Sequence, residues 1–114
     1  MTPTWIAEQQ VMFVHPNGDH RPGRIAVGLP FQGPENASCP IDLDGLERCR
    51  PIHGDTTLQA LLLGIRFLGM RLHDFLSRGG HIIFYPGDEP DEHDGVLEAL
   101  FGPLLRDPEP RSGQ

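Results

Sequence analysis

The stretch "LQALLLGIRFLGMRL", residues 58–72, is long and apolar enough to form the main helix of a small domain. Large apolar residues recur through it, and on to residue 76, with the three- and four-residue spacing of one helix face. This main stripe comprises Leu58, Leu61, Leu62, Ile65, Leu68, Leu72, Phe75 and Leu76. Asp55 or Thr56 can cap the start of the helix and Gly79-Gly80 can end it. The sequence therefore predicts a helix over residues 56–78.

A second apolar stripe on the same helix consists of Leu63, Phe67 and Met70. A single sheet cannot easily bury both stripes, so a second element is expected to cover this one. One candidate is a C-terminal helix carrying Val96, Leu97, Leu100 and Phe101, and the other is a partner protein or a second copy of the chain. Gly64 and Gly69 each cost the helix about 1 kcal/mol relative to alanine. That cost is expected where another backbone comes close.

The segments around this helix have the patterns of strands. Residues 5–14, 24–30 and 39–44 alternate apolar and polar side chains, with a slip near Gln9-Gln10 that indicates a bulge. Asn17-Gly18 is typical of a tight hairpin turn with positive φ at both residues. A fourth strand is predicted at residues 81–86 and a short helix at residues 96–105.

The order of these elements is β-β-β-α-β-α, which predicts an α+β fold. We expect a mainly antiparallel sheet of about four strands with one long helix packed across it. The length of 114 residues suits one domain, which we place at residues 1–105, with a disordered tail at residues 106–114.

The charge of the chain is negative and unevenly distributed. The formal net charge is −7, and residues 86–114 hold eight acidic residues against two arginines. This balance argues against nucleic-acid binding, which needs a basic surface. We see neither a secretory signal nor a membrane-spanning run and expect a cytoplasmic protein with no membrane contact. All nine basic residues are arginine, which we attribute to a GC-rich bacterial genome.

The acidic segment is the first candidate binding site. Its acids are Asp88, Glu89, Asp91, Glu92 and Asp94. Their spacing differs from that of an EF-hand, whose ligands occupy alternate positions. We expect a solvated loop that meets a basic surface on a partner protein.

Candidate catalytic groups are few. Cys49 lies between Arg48 and Arg50 in the sequence, and these cations are expected to lower its thiol pKa. His53 is the nearest candidate base. His15, Asp19 and His20 flank the hairpin turn and could share a metal ion, although a fixed site needs about four ligands. No cofactor motif is present in the sequence, and we assign no catalytic or metal-binding residue.

Residues 10–76 resemble a family of short bacterial proteins catalogued as a domain of unknown function. The matching features are Cys39 on a strand, the Gly45-Leu46 step, Ile52, Gly54, and Thr57 followed by Leu58-Gln59-Ala60-Leu61 at the helix start. The resemblance implies the fold and carries no activity. Gln59, in the first turn, is expected either to hydrogen-bond the "PIHG" loop or to be plainly exposed.

These observations favour a small non-enzymatic module that acts by protein–protein contact. The most concrete form is an immunity-like or inhibitory protein that uses its acidic segment together with Leu63, Phe67 and Met70. The alternatives are a small thiol- or metal-dependent enzyme, and a homodimeric scaffold built on the long helix.

Overall fold

A computed structural model describes residues 2–84 and 93–102 and shows an α+β architecture, as the sequence predicts. Two antiparallel sheets, of four and three strands, share one long helix packed across them. The elements are β1 Trp5–Val14, β2 His20–Gly28, β3 Phe31–Gln32, β4 Ala37–Cys39, β5 Ile41–Asp42, β6 Ile52–Gly54, α1 Thr57–Ser77, β7 His81–Ile83 and α2 His93–Phe101. The proposed tail at residues 106–114 lies outside the described residues.

The larger sheet, in the order β5-β2-β1-β7, is built on the β1–β2 hairpin. The hairpin is at the predicted place, but its turn is of another kind. Gly18 donates to the His15 carbonyl and has a φ of +93°, whereas Asn17 has a negative φ. This is a type I turn followed by a left-handed glycine. The Asn17 carboxamide oxygen accepts the Asp19 amide, which fixes the turn.

The irregularity in β1 lies between Trp5 and Ala7 and not near Gln9-Gln10 as predicted. From Ala7 onward the pairing with β2 is continuous. The apolar and polar alternation weakens at Gln9-Gln10 because this half of the hairpin is largely exposed on both faces.

One arginine ties three strands of the larger sheet together. Arg24 on β2 donates to Asp42 on β5 at 2.6 Å and to Glu8 on β1 at 2.8 Å. Its guanidinium also lies 4.6 Å from the ring centre of Trp5. These hydrogen bonds, led by the one that Arg24 donates to Asp42, raise the pKa of Arg24. The cluster stabilises the side of the sheet opposite the helix.

Pro40 divides the predicted third strand between the two sheets. β4 precedes it and pairs with β3 and β6, whereas β5 follows it and pairs with β2. Cys39, Ile41 and Leu43 are buried, so the predicted inward face is confirmed. A proline has no amide hydrogen for a ladder, which suits the point where the chain changes sheets.

The core has two parts of unequal size. The larger part joins the four-stranded sheet to the C-terminal half of α1, and its buried residues are Val11, Phe13, Ile25, Ile41, Leu43, Leu68, Leu72, Phe75, Leu76 and Ile82. The smaller part has only Ala37, Cys39 and Ala60 and lies under the three-stranded sheet. The N-terminal half of α1 is therefore packed mainly through small side chains.

The ends of α1 follow the sequence signals. The Thr56 hydroxyl accepts the Gln59 amide at 3.0 Å, and the Gln59 carboxamide oxygen accepts the Asp55 amide at 2.6 Å. This reciprocal pair is a variant of the capping box and gives Gln59 a structural role next to the "PIHG" loop. At the other end Gly79 has a φ of +97° and stops the helix. Within the described residues, no helix is long and apolar enough to cross a membrane.

Candidate functional site

The exposed side of α1 carries more apolar surface than the main stripe predicts. Leu58 and Leu62 were expected in the core, but their exposed fractions are 64% and 56%. The buried line in this half of the helix runs instead through Ala60 and Gly64 and continues into Leu68 and Leu72. The buried side of the N-terminal half of α1 therefore differs from the side that the predicted stripe occupies.

Small residues are buried on this side because they allow the smaller sheet to approach the helix closely. A Cβ atom added at Gly64 would lie 3.2 Å from the Cys39 sulfur, and one added at Gly54 would lie 2.7 Å from the Ala60 backbone nitrogen. No leucine side chain fits into such a contact. The leucines at positions 58 and 62 therefore lie on the opposite side of the helix, in solvent.

The predicted second stripe is only partly covered. Phe67 packs against the larger core, whereas Leu63 is 37% exposed and Met70 is 59% exposed. Helix α2 does pack on α1, but its Phe101 ring lies beside Gly69, within 3.5 Å of where a Cβ would be. Gly69 is on the side of α1 that faces away from Phe67, so the observed contact of α2 is with the other flank. The close approach predicted at Gly64 and Gly69 is made by side chains.

We define the outer face of α1 as Leu58, Leu62, Leu63, Arg66 and Met70. Arg66 is the centre of this face, since Leu62, Leu63 and Met70 are three or four residues from it and neighbour it on the helix surface. Arg71 and Arg78 on the same helix form ion pairs with Glu47 and Asp74. Arg66 forms no ion pair with any residue that the structure describes. The face thus combines exposed apolar groups with a cation that no described residue pairs.

The acids predicted to meet a partner lie almost entirely outside the described residues. Asp88, Glu89, Asp91 and Glu92 belong to the segment between Phe84 and α2. Asp94 is in the first turn of α2, but its side chain is not described. Their role stays a prediction.

The predicted lowering of the Cys49 thiol pKa is wrong, because the fold raises this pKa. The thiol borders a groove of about 390 Å³ that is also lined by Arg21, Asp42 and Glu47. Burial raises the pKa of Cys49, and the carboxylates of Glu47 and Asp42 raise it further. Arg48 and Arg50 are exposed and are not among the groups that shift this pKa. The fold therefore favours the neutral thiol over the nucleophilic thiolate.

His53 pairs with a serine and not with Cys49. Strand β6 places His53 opposite Ser38 on β4, and Ser38 Oγ lies 2.9 Å from His53 Nδ1. Ser38 is buried and no carboxylate among the described residues contacts the imidazole, so the acid that orients the base of a hydrolytic triad is missing there. Both Cys39 and Cys49 are free thiols.

The histidines of the hairpin turn have different surroundings. His15 Nε2 lies 3.1 Å from the Gly45 carbonyl oxygen, and its ring packs edge-on against Phe75. His20 is exposed at the start of β2. Across residues 2–84 and 93–102, no three His, Cys, Asp or Glu side chains are grouped so as to hold a metal ion.

Comparisons with protein families, with characterised proteins and with solved structures found no match to this chain. The resemblance of residues 10–76 to short bacterial proteins of unknown function stays a prediction.

Proposed function

We propose that this chain is a protein-binding module whose contact surface is the outer face of α1. The observation that carries the proposal is the exposure of Leu58, Leu62, Leu63 and Met70 along one side of a well-capped helix. Clustered apolar side chains of this size on a monomer surface mark interaction sites. An amphipathic helix that presents residues at i and i+4 is a common way to fill a partner's groove.

The composition of the face supports binding to protein. Arginine and methionine are enriched at protein interfaces, and an aliphatic surface around a central arginine offers an apolar anchor and one directional charge. Two other candidate groups are less available for binding, since Cys49 favours its neutral form and Arg24 is already neutralised by Asp42 and Glu8.

The acidic segment adds an electrostatic component to this proposal. We infer that Asp88, Glu89, Asp91, Glu92 and Asp94 speed the encounter with a partner that carries a basic surface, as in an immunity-like or inhibitory protein. Replacing these five acids by Asn or Gln should then slow association and flatten its salt dependence. Free cysteines favour a reducing compartment, and we place the protein in the bacterial cytoplasm.

The proposal is tested by affinity capture from a bacterial lysate with matched variants. Leu62→Asp places a charge on the outer face, whereas Leu29→Asp alters an equally exposed leucine away from the helix. We expect a partner that is retained by the parent chain and by Leu29→Asp but lost with Leu62→Asp. A partner held equally by all three proteins would show that another surface is used.

A further inference from the structure

We infer that the part of the outer face of α1 around Leu58 and Leu62 pairs with the same part of a second copy of this chain. The inference rests on the contact surface of the proposed function and names a second copy as its occupant; the basic partner proposed for the acidic segment is a separate protein. The inference stands on the distribution of charge along the helix as well as on its exposed leucines.

Asp55 and Arg66 are the two charged residues at the ends of the exposed leucine pair Leu58 and Leu62. Both are exposed, and neither side chain has an ion-pair or hydrogen-bond partner among the described residues. The Asp55 backbone amide donates to Gln59, whereas its carboxylate forms no hydrogen bond or ion pair with the residues that the structure describes. An acid precedes the apolar pair and a base follows it. Two copies of this segment that run in opposite directions therefore bring the acid of each near the base of the other.

Antiparallel pairing about a two-fold axis uses this complementarity. With the axis beside residue 60, Leu58 lies level with the second copy's Leu62. Asp55 directly precedes the N-cap Thr56, so it lies just beyond the end of the helix that is next to the second copy's Arg66. Symmetry repeats each contact, so one arrangement forms two leucine contacts and two ion pairs.

The centre of this contact also suits the pairing. Gln59 lies near the axis. It is uncharged and its carboxamide is held by the cap, so the pairing buries neither a charge nor a mobile side chain at its centre. Two leucine contacts and two ion pairs make a small interface, and small interfaces associate weakly. We therefore expect a dimer that forms in the micromolar range and separates on dilution.

The test is sedimentation velocity of the full chain across a concentration series, with charge-swap variants. Asp55→Arg or Arg66→Asp alone should weaken the dimer about tenfold, because each turns two attractive pairs into repulsive ones. The double variant Asp55→Arg/Arg66→Asp should restore the dissociation constant to within about threefold of the parent value. Leu62→Asp should give a monomer, and Leu29→Asp should leave the dimer intact.

Circular dichroism and thermal melting of each variant separate misfolding from loss of pairing, and rescue by the double swap cannot arise from an effect on stability alone. A parent chain that stays monomeric at high concentration overturns the inference. A dimer that is indifferent to the charge swaps overturns it as well. If the chain is monomeric and Leu62→Asp still abolishes capture of another protein, the inference fails while the proposed function stands.

Discussion

Gly64 and Gly69 lie on the same helix but have different neighbours. We therefore expect substitution by alanine to change the stability differently at the two positions. Alanine stabilises a helix by about 1 kcal/mol relative to glycine. At Gly69 the new Cβ would lie 3.5 Å from the Phe101 ring, an ordinary contact, whereas at Gly64 it would lie 3.2 Å from the Cys39 sulfur. Crowding of a packed core typically costs 1–3 kcal/mol.

We therefore expect Gly69→Ala to raise the free energy of unfolding by about 1 kcal/mol and Gly64→Ala to leave it unchanged or lower it. Urea denaturation of both variants measures the difference. Equal stabilisation by the two substitutions would show that the smaller sheet can move away from the helix, and that Gly64 does not determine which residues of α1 are buried.

Cys49 gives a second prediction at the scale of a residue. Since burial and the charges of Glu47 and Asp42 raise its pKa, the folded chain should react with iodoacetamide along a pH profile displaced to higher pH than that of the urea-unfolded chain. A Cys39→Ala variant removes the second thiol, which is fully buried in the parent chain. A folded profile displaced to lower pH would mean that Arg48 and Arg50 act as the sequence suggests.

The start of α1 is the element whose local rules are fulfilled most fully. Thr56→Ala removes the acceptor of the Gln59 amide and should lower the free energy of unfolding by about 1 kcal/mol. Thr57→Ala is the matched control, because Thr57 is exposed in the first helical position and its side chain makes no hydrogen bond with any described residue. Thermal and urea unfolding of the two variants compare them. A loss as large in Thr57→Ala as in Thr56→Ala would count against the cap.

The sequence predicts the elements that have local signals of their own. Helix α1 has a cap, a stripe and a glycine stop, and the β1–β2 hairpin has Asn17-Gly18. Strands β3 and β6 are two and three residues long and depend on tertiary contacts, namely pairing with β4 and, for β6, packing against α1, so no local pattern reveals them. The fold class follows from the first group, whereas the second sheet does not.

Sequence periodicity does not reveal the outer face of α1, for a related reason. Periodicity places Leu58 and Leu62 on the same stripe as Leu68 and Leu72, and size alone favours their burial. The competing signal was the spacing of Ala60 and Gly64, which continues through Leu68 and marks a close contact. Which of two overlapping stripes is buried depends on the distance between helix and sheet, and that distance is set by residues far away in the sequence.

At the scale of the whole molecule, one helix packs against two sheets, and the two sheets bury apolar cores of different size against it. The larger core has ten buried apolar residues, among them Phe13 and Leu72, whereas the smaller has three small ones. Apolar burial is the main stabilising term, so the three-stranded sheet has the weaker hold. Regions with few buried contacts open locally without global unfolding.

Native-state hydrogen exchange should therefore separate the two sheets. We expect the amides of β4 and β6 to exchange at least about tenfold faster than those paired between β1 and β2, through an opening that leaves the larger core intact. Leu72→Ala provides the discriminating variant, since Leu72 is fully buried in the larger core. It should lower the protection of β1 and β2 by about 2–5 kcal/mol while leaving that of β4 and β6 unchanged, as long as global unfolding remains the rarer event. A parallel loss of protection in all four strands would show that the two sheets unfold as one cooperative unit, and that the small contacts at Ala60 and Gly64 couple them more tightly than their buried area implies.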